Sequence, residues 1–298
     1  MWQRVRTGGK MKNKIFILML SLACAPSPVV AFDFGTLDLG KALKTVQKVQ
    51  QATTEIDEPQ EISLGQGIAS NLLGAAPPLQ NLSIQKYVNH VGRWLTLHTE
   101  RPDLPWMFTV LDDEDINAFA APGGYVFITK GLLARMKSEA ELAGVLAHEI
   151  SHVLKKHHLL AIKKGARSSL MADFAEEAME RKGANPALNK LVSAGTEIYA
   201  RGLDKDDEFE ADRMGVVIAA RGGYDPYGLP AVLQTLQGLN AKDSTVALMF
   251  KTHPVLEDRL GLLDRLMSGP FDRFETQPDL VPRFMAVLDN AKSKATDK

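Results

Sequence analysis

The chain contains 298 residues, of which 45% are hydrophobic and 24% charged, as in an ordinary globular protein. Its formal charge is −1 at pH 7, and no basic stripe marks it as a nucleic-acid-binding protein. The sequence contains no internal repeat and no low-complexity tract, which argues against a solenoid and against a disordered protein.

Residues 1–31 have the features of an export signal. The stretch before Ile15 carries five basic side chains and no acidic one, and Ile15–Ala23 is an apolar core too short to cross a bilayer. Val29–Ala31 offers the small residues that a signal peptidase reads. We therefore predict a mature chain that starts at Phe32, is periplasmic or secreted, and carries 30 basic against 36 acidic residues.

Cys24 is the one cysteine of the sequence, and it falls within this signal. The mature protein therefore has no disulfide of its own and depends on core burial and metal for its stability. A cysteine that follows an apolar run and Ala23 is also typical of lipoproteins. Lipidation of Cys24, with peripheral attachment to a membrane, is the alternative to an ordinary signal-peptide residue.

Downstream of the signal, apolar residues at helical spacing predict three amphipathic helices, over Phe32–Thr54, Pro59–Leu73 and Ile84–His98. Two segments rich in β-branched and aromatic residues then predict short strands, at Trp106–Leu111 and Tyr125–Thr129. The Pro122-Gly123-Gly124 sequence between them is a hairpin signal. The middle of the chain should therefore form a small sheet.

A long helix should follow this sheet. Ser138 and Glu141 have the spacing of a capping box, and we expect the helix to continue to about Lys163. Further helices are predicted over 166–202 and 208–220, followed by two or three short helices and a loose C-terminal tail. No linker interrupts the mature region, so we predict one α+β domain over 32–298, mainly helical, with its core at about 60–266.

The middle of the long helix contains His148-Glu149-Ile150-Ser151-His152, which is the HExxH pattern. Positions four apart on a helix differ by about 40° around the axis, so both imidazoles can reach one metal ion from one face. Glu149 lies beside them, where it can act as a catalytic base without binding the metal. Chance alone gives this pattern in roughly one such sequence in a hundred, so a third ligand is the real test.

Three positions compete for the third ligand. One spacing used by metallopeptidases places a glutamate where this chain has Met171 and Ala172. His158 stands at the last position of HExxHxxGxxH, but Lys155 replaces the glycine that would break the helix. We therefore interpret His157 and His158 as solvated cations near a helix C-terminus, where the helix dipole favours them.

Glu208 is the third candidate, in the sequence Glu208-Phe209-Glu210-Ala211-Asp212. Glu208 and Asp212 lie one turn apart on a helix, so the glutamate can bind a metal while the aspartate accepts the outer N–H of a ligating histidine. Three aspartates precede this sequence, and a solvated acidic run is the alternative interpretation. The apolar residues that follow Asp212 favour a half-buried helix.

These blocks together resemble the zinc metallopeptidases, of the gluzincin type, that include the CAAX prenyl protease and the bacterial HtpX protease. Exported, periplasmic members of this family are the most similar. The resemblance covers about Gln60–Leu266, and the combination of blocks is specific although each one alone is weak. In chain order the blocks are Asn117–Tyr125 (NAFAAPGGY), HEISH, EFEAD, Gly223–Pro226, and Thr252-His253-Pro254 with Arg259.

The resemblance implies one zinc ion per chain and assigns its ligands to His148, His152 and Glu208. Glu149 is then the catalytic base, and Asp212 supports a ligand from its outer side. Family members often carry Ser-Arg shortly before the glutamate. This chain has Arg201–Asp204 (RGLD) there, which leaves the local charge partner open.

The resemblance also implies a zincin-like fold in which an edge strand lies beside the HExxH helix. An extended polypeptide would add to this strand by backbone hydrogen bonds. The substrate-binding residues implied are Asn117, Ala118, Gly123, Gly124 and Tyr125.

His253 keeps three interpretations. In related exported members a histidine of the His-Pro block can approach the zinc. Here His253 is an inhibitory fourth ligand, a donor to the transition state, or a histidine that caps a loop.

The sequence thus predicts a zinc metalloendopeptidase that hydrolyses internal peptide bonds of misfolded or unassembled envelope proteins, with unfolded or extended polypeptides as its partners and no nucleic acid. The alternative is a periplasmic chaperone-like binding factor with a latent zinc site. A methionine-rich stretch that would grip unfolded chains suggests this alternative, and it includes Leu170, Met171, Phe174 and Met179.

Overall fold

The computed structural model describes residues 56–173, 202–240, 243–253 and 256–296. Its helices are α1 (Glu58–Ala75), α2 (Leu82–Thr96), α3 (Lys130–Leu133), α4 (Glu139–Leu154), α5 (His157–Asp173), α6 (Lys205–Arg221), α7 (Gly228–Gln237), α8 (Ser244–Thr252), α9 (Leu256–Met267) and α10 (Val281–Thr296). Its strands are β1 (Met107–Leu111), β2 (Ala118–Ala121) and β3 (Tyr125–Thr129). The predicted export signal, Cys24 and the predicted helix Phe32–Thr54 lie outside the described residues.

The three strands form one mixed sheet in the order β1-β3-β2, in which β3 runs parallel to β1 and antiparallel to β2. Gly123 and Gly124 make the turn between β2 and β3, with φ values of 77° and 100° that favour glycine. β2 is an edge strand, and it packs against α4. The predicted class is therefore confirmed: α+β, mainly helical, with a small sheet whose edge strand lies beside the HExxH helix.

Helix α4 begins where the sequence predicts. The Ser138 side chain accepts a hydrogen bond from the backbone N–H of Glu141, which satisfies one donor of the first turn. The Glu141 carboxylate completes the cap one residue earlier than a standard capping box, since it accepts from the N–H of Lys137. Almost every residue of α4 is buried, so the helix forms the centre of the core.

The first residue of α4 is a buried acid. The Glu139 carboxylate accepts hydrogen bonds from the hydroxyls of Tyr87, at 2.6 Å, and Tyr224, at 2.9 Å, and it forms an ion pair with Arg283 of α10. Burial, together with the Glu139 charge, raises the pKa of both tyrosines, so the hydroxyls remain donors. These contacts fix the N-terminal end of the HExxH helix to α2, to the loop after α6, and to α10.

The other end of α4 differs from the prediction. The helix ends at Leu154 rather than near Lys163, because Lys156 adopts a left-handed conformation with φ 58°. This conformation costs a residue other than glycine about 1–2 kcal/mol. The chain turns at this point and starts α5 at His157. Neither glycine nor proline marks the turn in the sequence, so the sequence pattern does not predict it.

Helix α6 packs directly on α4, and the contact is closest at Gly215. A Cβ atom at Gly215 would lie 3.1 Å from the backbone nitrogen of His148, so a larger residue there would push the two helices apart. Glu208 and Asp212 precede Gly215 on α6, and both are buried against α4. The close approach of these two backbones brings the acidic side chains to the HExxH histidines.

The C-terminal region is more helical than predicted. Helices α7–α10 and a 3₁₀ turn at Asp272–Phe274 replace the expected two or three short helices and loose tail. Helix α10 reaches the core through Phe284, which is fully buried. Within the described ranges, no helix combines the length and the apolar character that crossing a membrane requires.

Replacement of Gly144 by alanine should destabilise the fold. An added Cβ would lie 2.6 Å from the backbone nitrogen of Leu229, where α7 approaches α4. This overlap outweighs the gain in helix propensity of about 1 kcal/mol. We expect a net loss of about 1–2 kcal/mol in the free energy of unfolding, measured by urea denaturation.

Gly74→Ala is the matched control, since it is also a helical glycine but has no atom within 4 Å of the added Cβ. It should leave the stability unchanged or raise it slightly. Wild-type stability in Gly144→Ala would contradict the close contact between α4 and α7.

Candidate metal centre

Helices α4 and α6 bring three side chains together. His148 and His152 lie one turn apart on α4, and their Nε2 atoms are 3.0 Å apart. The Glu208 carboxylate extends from α6 to lie 3.6 Å from Nε2 of His148 and 3.4 Å from Nε2 of His152. His253 completes a group of four residues that each offer a ligand atom within 4.8 Å of the others.

The donor set and its spacing fit a zinc ion. Two atoms that each bind a tetrahedral zinc at about 2.1 Å are about 3.4 Å apart, close to the three separations measured here. Oε1 of Glu208 is buried and has no hydrogen-bond partner, as expected of an oxygen that binds a cation. Of the sequence candidates for the third position, Glu208 is the one that lies beside both histidines.

Arg259 of α9 is the charge partner that the sequence left open. Its Nε and Nη2 atoms donate to the two carboxylate oxygens of Asp212 at 2.7 and 2.6 Å, and its Nη1 atom lies 3.0 Å from Glu208. Burial alone would raise the pKa of both carboxyls, but the nearby cations hold both pKa values below the ordinary range. Glu208 and Asp212 are therefore carboxylates.

Asp212 lies on the outer side of His148. One carboxylate oxygen of Asp212 is 2.9 Å from Nδ1 of His148, although the two atoms are not aligned for a full hydrogen bond. Because the opposite nitrogen of His148 faces the cluster, Asp212 has the location expected of a carboxylate that orients a ligating histidine.

Glu149 lies beside the cluster and is 1% exposed. Its Oε2 atom has no hydrogen-bond partner. Burial raises the pKa of this carboxyl, while the charges of His253 and His148 act in the opposite direction. A buried acid with a raised pKa and an unpaired oxygen is suited to exchange a proton with a bound molecule.

A small cavity of about 40 Å³ adjoins Glu149 and His148. Most of its wall is apolar, and α7 supplies the largest share. The apolar side chains that line it include Val145, Leu229, Val232, Leu233, Leu236 and Met249. The candidate catalytic acid therefore borders a space that suits an apolar group.

His253 connects the cluster to the edge strand. Its Nδ1 atom lies 2.9 Å from the Glu208 carboxylate, and its Nε2 atom lies 3.2 Å from the carbonyl oxygen of Ala118. Both partners are hydrogen-bond acceptors, so the ring bridges the Glu208 carboxylate and the strand carbonyl. Burial would lower the pKa of His253, but the Glu208 charge raises it.

The interpretation of His157 and His158 as solvated cations was wrong, because neither side chain is solvated. The turn at Lys156 folds the start of α5 back against α4, and the two imidazoles are only 3% and 8% exposed. Burial, reinforced by the charge of His253, lowers the pKa of His158 to about 3, so this ring is neutral. His157 is hydrogen bonded to His152, with 2.9 Å between their Nδ1 atoms.

Two of the five residues predicted to bind substrate lie at the end of β2 near the cluster. Asn117 is buried, bonds to Thr129 on β3, and accepts a hydrogen bond from the N–H of Ala118 through its side chain. The carbonyl of Ala118 accepts from His253. This end of the strand is therefore bonded directly to the candidate metal centre.

The other three residues lie at the opposite end of the strand. Gly123 donates its N–H to the buried carboxylate of Glu61 on α1, and Gly124 packs against Trp106. Tyr125 pairs with Ala121 at the start of β3. These residues shape the hairpin turn and are not brought to the metal cluster.

A mainly helical α+β fold, in which an HExxH helix and a neighbouring helix together form a buried His-His-Glu cluster, defines a metallopeptidase of the zincin type. The chain belongs to peptidase family M48, because the model of this family matches residues 78–267. The matched region contains all four residues of the cluster.

Similarity to individual proteins supports the same family assignment. Residues of this chain are 32% identical to the beta-barrel assembly-enhancing protease of Escherichia coli strain K12, over 67% of this chain and 42% of that protein. The protein of the same name from Yersinia pestis is 29% identical, over 82% of this chain and 51% of its own length. The mitochondrial metalloendopeptidase OMA1 of Arabidopsis thaliana is 28% identical, over 56% and 32%. The chain thus spans about half the length of these relatives, or less.

Metal analysis of the purified mature protein should find about one zinc per chain, since the cluster offers one set of ligands. His148→Ala should abolish this zinc, because it removes a ligand from the centre of a buried site. His90→Ala, which changes an exposed histidine of α2, is the matched control and should retain it. Zinc retained by His148→Ala after dialysis against a weak chelator would contradict the assignment.

Proposed function

We propose that the chain is a zinc-dependent metalloendopeptidase that hydrolyses internal peptide bonds of misfolded or unassembled envelope proteins. The observation that carries the proposal is the convergence of His148, His152 and Glu208 beside Glu149. Membership of peptidase family M48 supports the same reaction.

In this proposal His148, His152 and Glu208 hold one zinc ion per chain. When bound, zinc supplies Lewis-acid activation of water and of the scissile carbonyl. Glu149 accepts a proton from the attacking water at Oε2, the oxygen without a partner, and then passes it to the leaving amine. Asp212, held by Arg259, keeps His148 oriented throughout.

Substrate recognition is proposed at the outer edge of β2. Alternation of backbone groups along an antiparallel strand directs those of Asn117 towards β3 and those of Ala118 away from it. An extended polypeptide that adds at this edge approaches Ala118, and therefore the cluster. Gly123, Gly124 and Tyr125 contribute by fixing the hairpin that carries the strand.

The apolar cavity supports unfolded or extended polypeptides as substrates. Its wall favours apolar side chains over charged ones at a position next to the cleaved bond. Native proteins bury such side chains, whereas misfolded and unassembled proteins expose them. A site of this kind therefore selects for the unfolded state.

A periplasmic location is proposed from the export signal predicted at residues 1–31. The name of the bacterial relatives, beta-barrel assembly-enhancing protease, supports an envelope role. Lipidation of Cys24 would add a peripheral membrane attachment to the same activity.

Glu149→Gln should retain zinc and lose peptide-bond cleavage by a factor of about 10² or more, because an amide cannot accept and return the proton. Cleavage of casein by the mature protein, followed on a gel, measures the loss. Glu257→Gln, which changes an exposed acid of α9, is the matched control and should cleave at the wild-type rate. Wild-type cleavage by Glu149→Gln would rule out its role as the base.

The same assay distinguishes the proposed endopeptidase from the chaperone-like alternative. Zinc removal by a chelator should stop cleavage, and restored zinc should return it. A protein that suppresses aggregation of an unfolded client equally well with and without zinc, and cuts none of it, would favour the binding factor. The side chains that suggested this alternative lie outside those the structure describes.

His253 is proposed to restrain the site, because its ring contacts both the candidate ligand Glu208 and the strand carbonyl that a substrate approaches. His253→Ala should therefore raise the turnover number of casein cleavage, by about 2- to 10-fold if the bonds to Glu208 and Ala118 together contribute about 0.5–1.5 kcal/mol. A lower turnover number at unchanged KM would instead assign His253 to transition-state stabilisation. A change in thermal stability alone would leave it as a loop cap.

A further inference from the structure

The turn at Lys156 brings a histidine back to the metal centre. Lys156 is one of two residues other than glycine with positive φ among those described, and the following residue, His157, is buried. An α-helix continued through these positions would carry His157 further along the axis, away from His152. A left-handed residue is retained where surrounding contacts compensate for it. Directly after the turn, His157 contacts His152.

A chain of hydrogen bonds runs outward from His152 through His157. Nδ1 of His152 is 2.9 Å from Nδ1 of His157, and Nε2 of His157 is 3.2 Å from Oε2 of Glu210. The other oxygen of Glu210 is 2.7 Å from Nζ of Lys155, the residue that caps α4. Helices α4, α5 and α6 each contribute one member to this chain.

The direction of each proton in the chain follows from the role of His152 as a metal ligand. A histidine that binds a metal through Nε2 carries its hydrogen on Nδ1, so Nδ1 of His152 donates to Nδ1 of His157. His157 then carries its own hydrogen on Nε2, where the Glu210 carboxylate accepts it. Nε2 of His152 lies 3.0 Å from His148 and 3.4 Å from Glu208, as this ligand role requires.

We propose that His157 is a positioning residue that, supported by Glu210, holds His152 in the tautomer and orientation required to bind the metal. His148 has Asp212 on its outer side, whereas His152 has a histidine with a carboxylate behind it. The proposal rests on the metal site of the proposed function, and it concerns metal affinity rather than cleavage.

Two substitutions at His157 separate positioning from packing. His157→Leu fills the space but cannot accept the N–H of His152. His157→Gln can accept from His152 through its amide oxygen and donate to Glu210 through its amide nitrogen. Competition with a chromophoric chelator should give a zinc dissociation constant about 10- to 100-fold weaker for His157→Leu. For His157→Gln the constant should stay within a few-fold of wild type.

Glu210→Gln tests the outer end of the chain on a half-exposed residue, where the fold tolerates the change. It should weaken zinc binding in the same direction as His157→Leu, but less. Asp206→Asn removes an equal charge from an exposed position on the same helix, and it should bind zinc as the wild type does. The visible spectrum of the Co²⁺-loaded protein should change in His157→Leu and not in Asp206→Asn, because only the first changes how the ligand His152 is held.

Wild-type zinc affinity in folded His157→Leu would overturn the proposal. So would a loss of apoprotein stability in His157→Leu without any change in zinc affinity or in the Co²⁺ spectrum, since that result indicates packing alone. Should His157→Leu not fold, an unchanged zinc affinity in Glu210→Gln would overturn it equally. A wild-type protein that binds zinc but cleaves nothing contradicts the proposed function and leaves the role of His157 intact.

Discussion

The candidate site depends on how closely two buried helices approach each other. The HExxH helix α4 presents its histidines on the face that meets α6, and Gly215 allows the backbones to come within contact distance at His148. A displacement of α6 by about 1 Å would carry Glu208 out of the range in which one ion reaches all three ligands. Packing of the protein core therefore sets the geometry of the metal centre.

Close helix packing also creates an electrostatic cost, because Glu208 and Asp212 are removed from water. Buried carboxylates require a cation or several donors, and Arg259 supplies both to the pair. The same requirement explains the surroundings of Glu139, which has two tyrosine hydroxyls and Arg283. Glu139, Glu208 and Asp212 are thus each matched to an arginine from a different part of the fold.

Much of this arrangement follows from the sequence, because it depends on local patterns. The capping residue Ser138 fixes the start of α4, and the HExxH and EFEAD spacings each require only one turn of helix. The β-branched and aromatic residues of β1 and β3, with two glycines before β3, likewise predict the sheet.

The features that the sequence did not predict depend on contacts between distant residues. Lys156 adopts a left-handed conformation although nothing in its neighbours requires it, so the end of α4 and the burial of His157 were missed. Arg259 was recognised as part of a sequence block, but its pairing with Asp212 spans 47 residues and no local pattern predicts it. One signal for this burial was available in the sequence: the two adjacent histidines after HExxH are less polar than the two lysines before them.

The long-range ion pairs have a consequence for the order in which the molecule acquires its structure. Glu139 lies at the start of the central helix, yet its cationic partner is 144 residues later, in α10. Until Arg283 and Arg259 have been synthesised, the acids they neutralise remain costly to bury. We therefore expect helix α4 to settle into the core only after both arginines have been made. A nascent chain would consequently be unable to assemble the histidine cluster before that point.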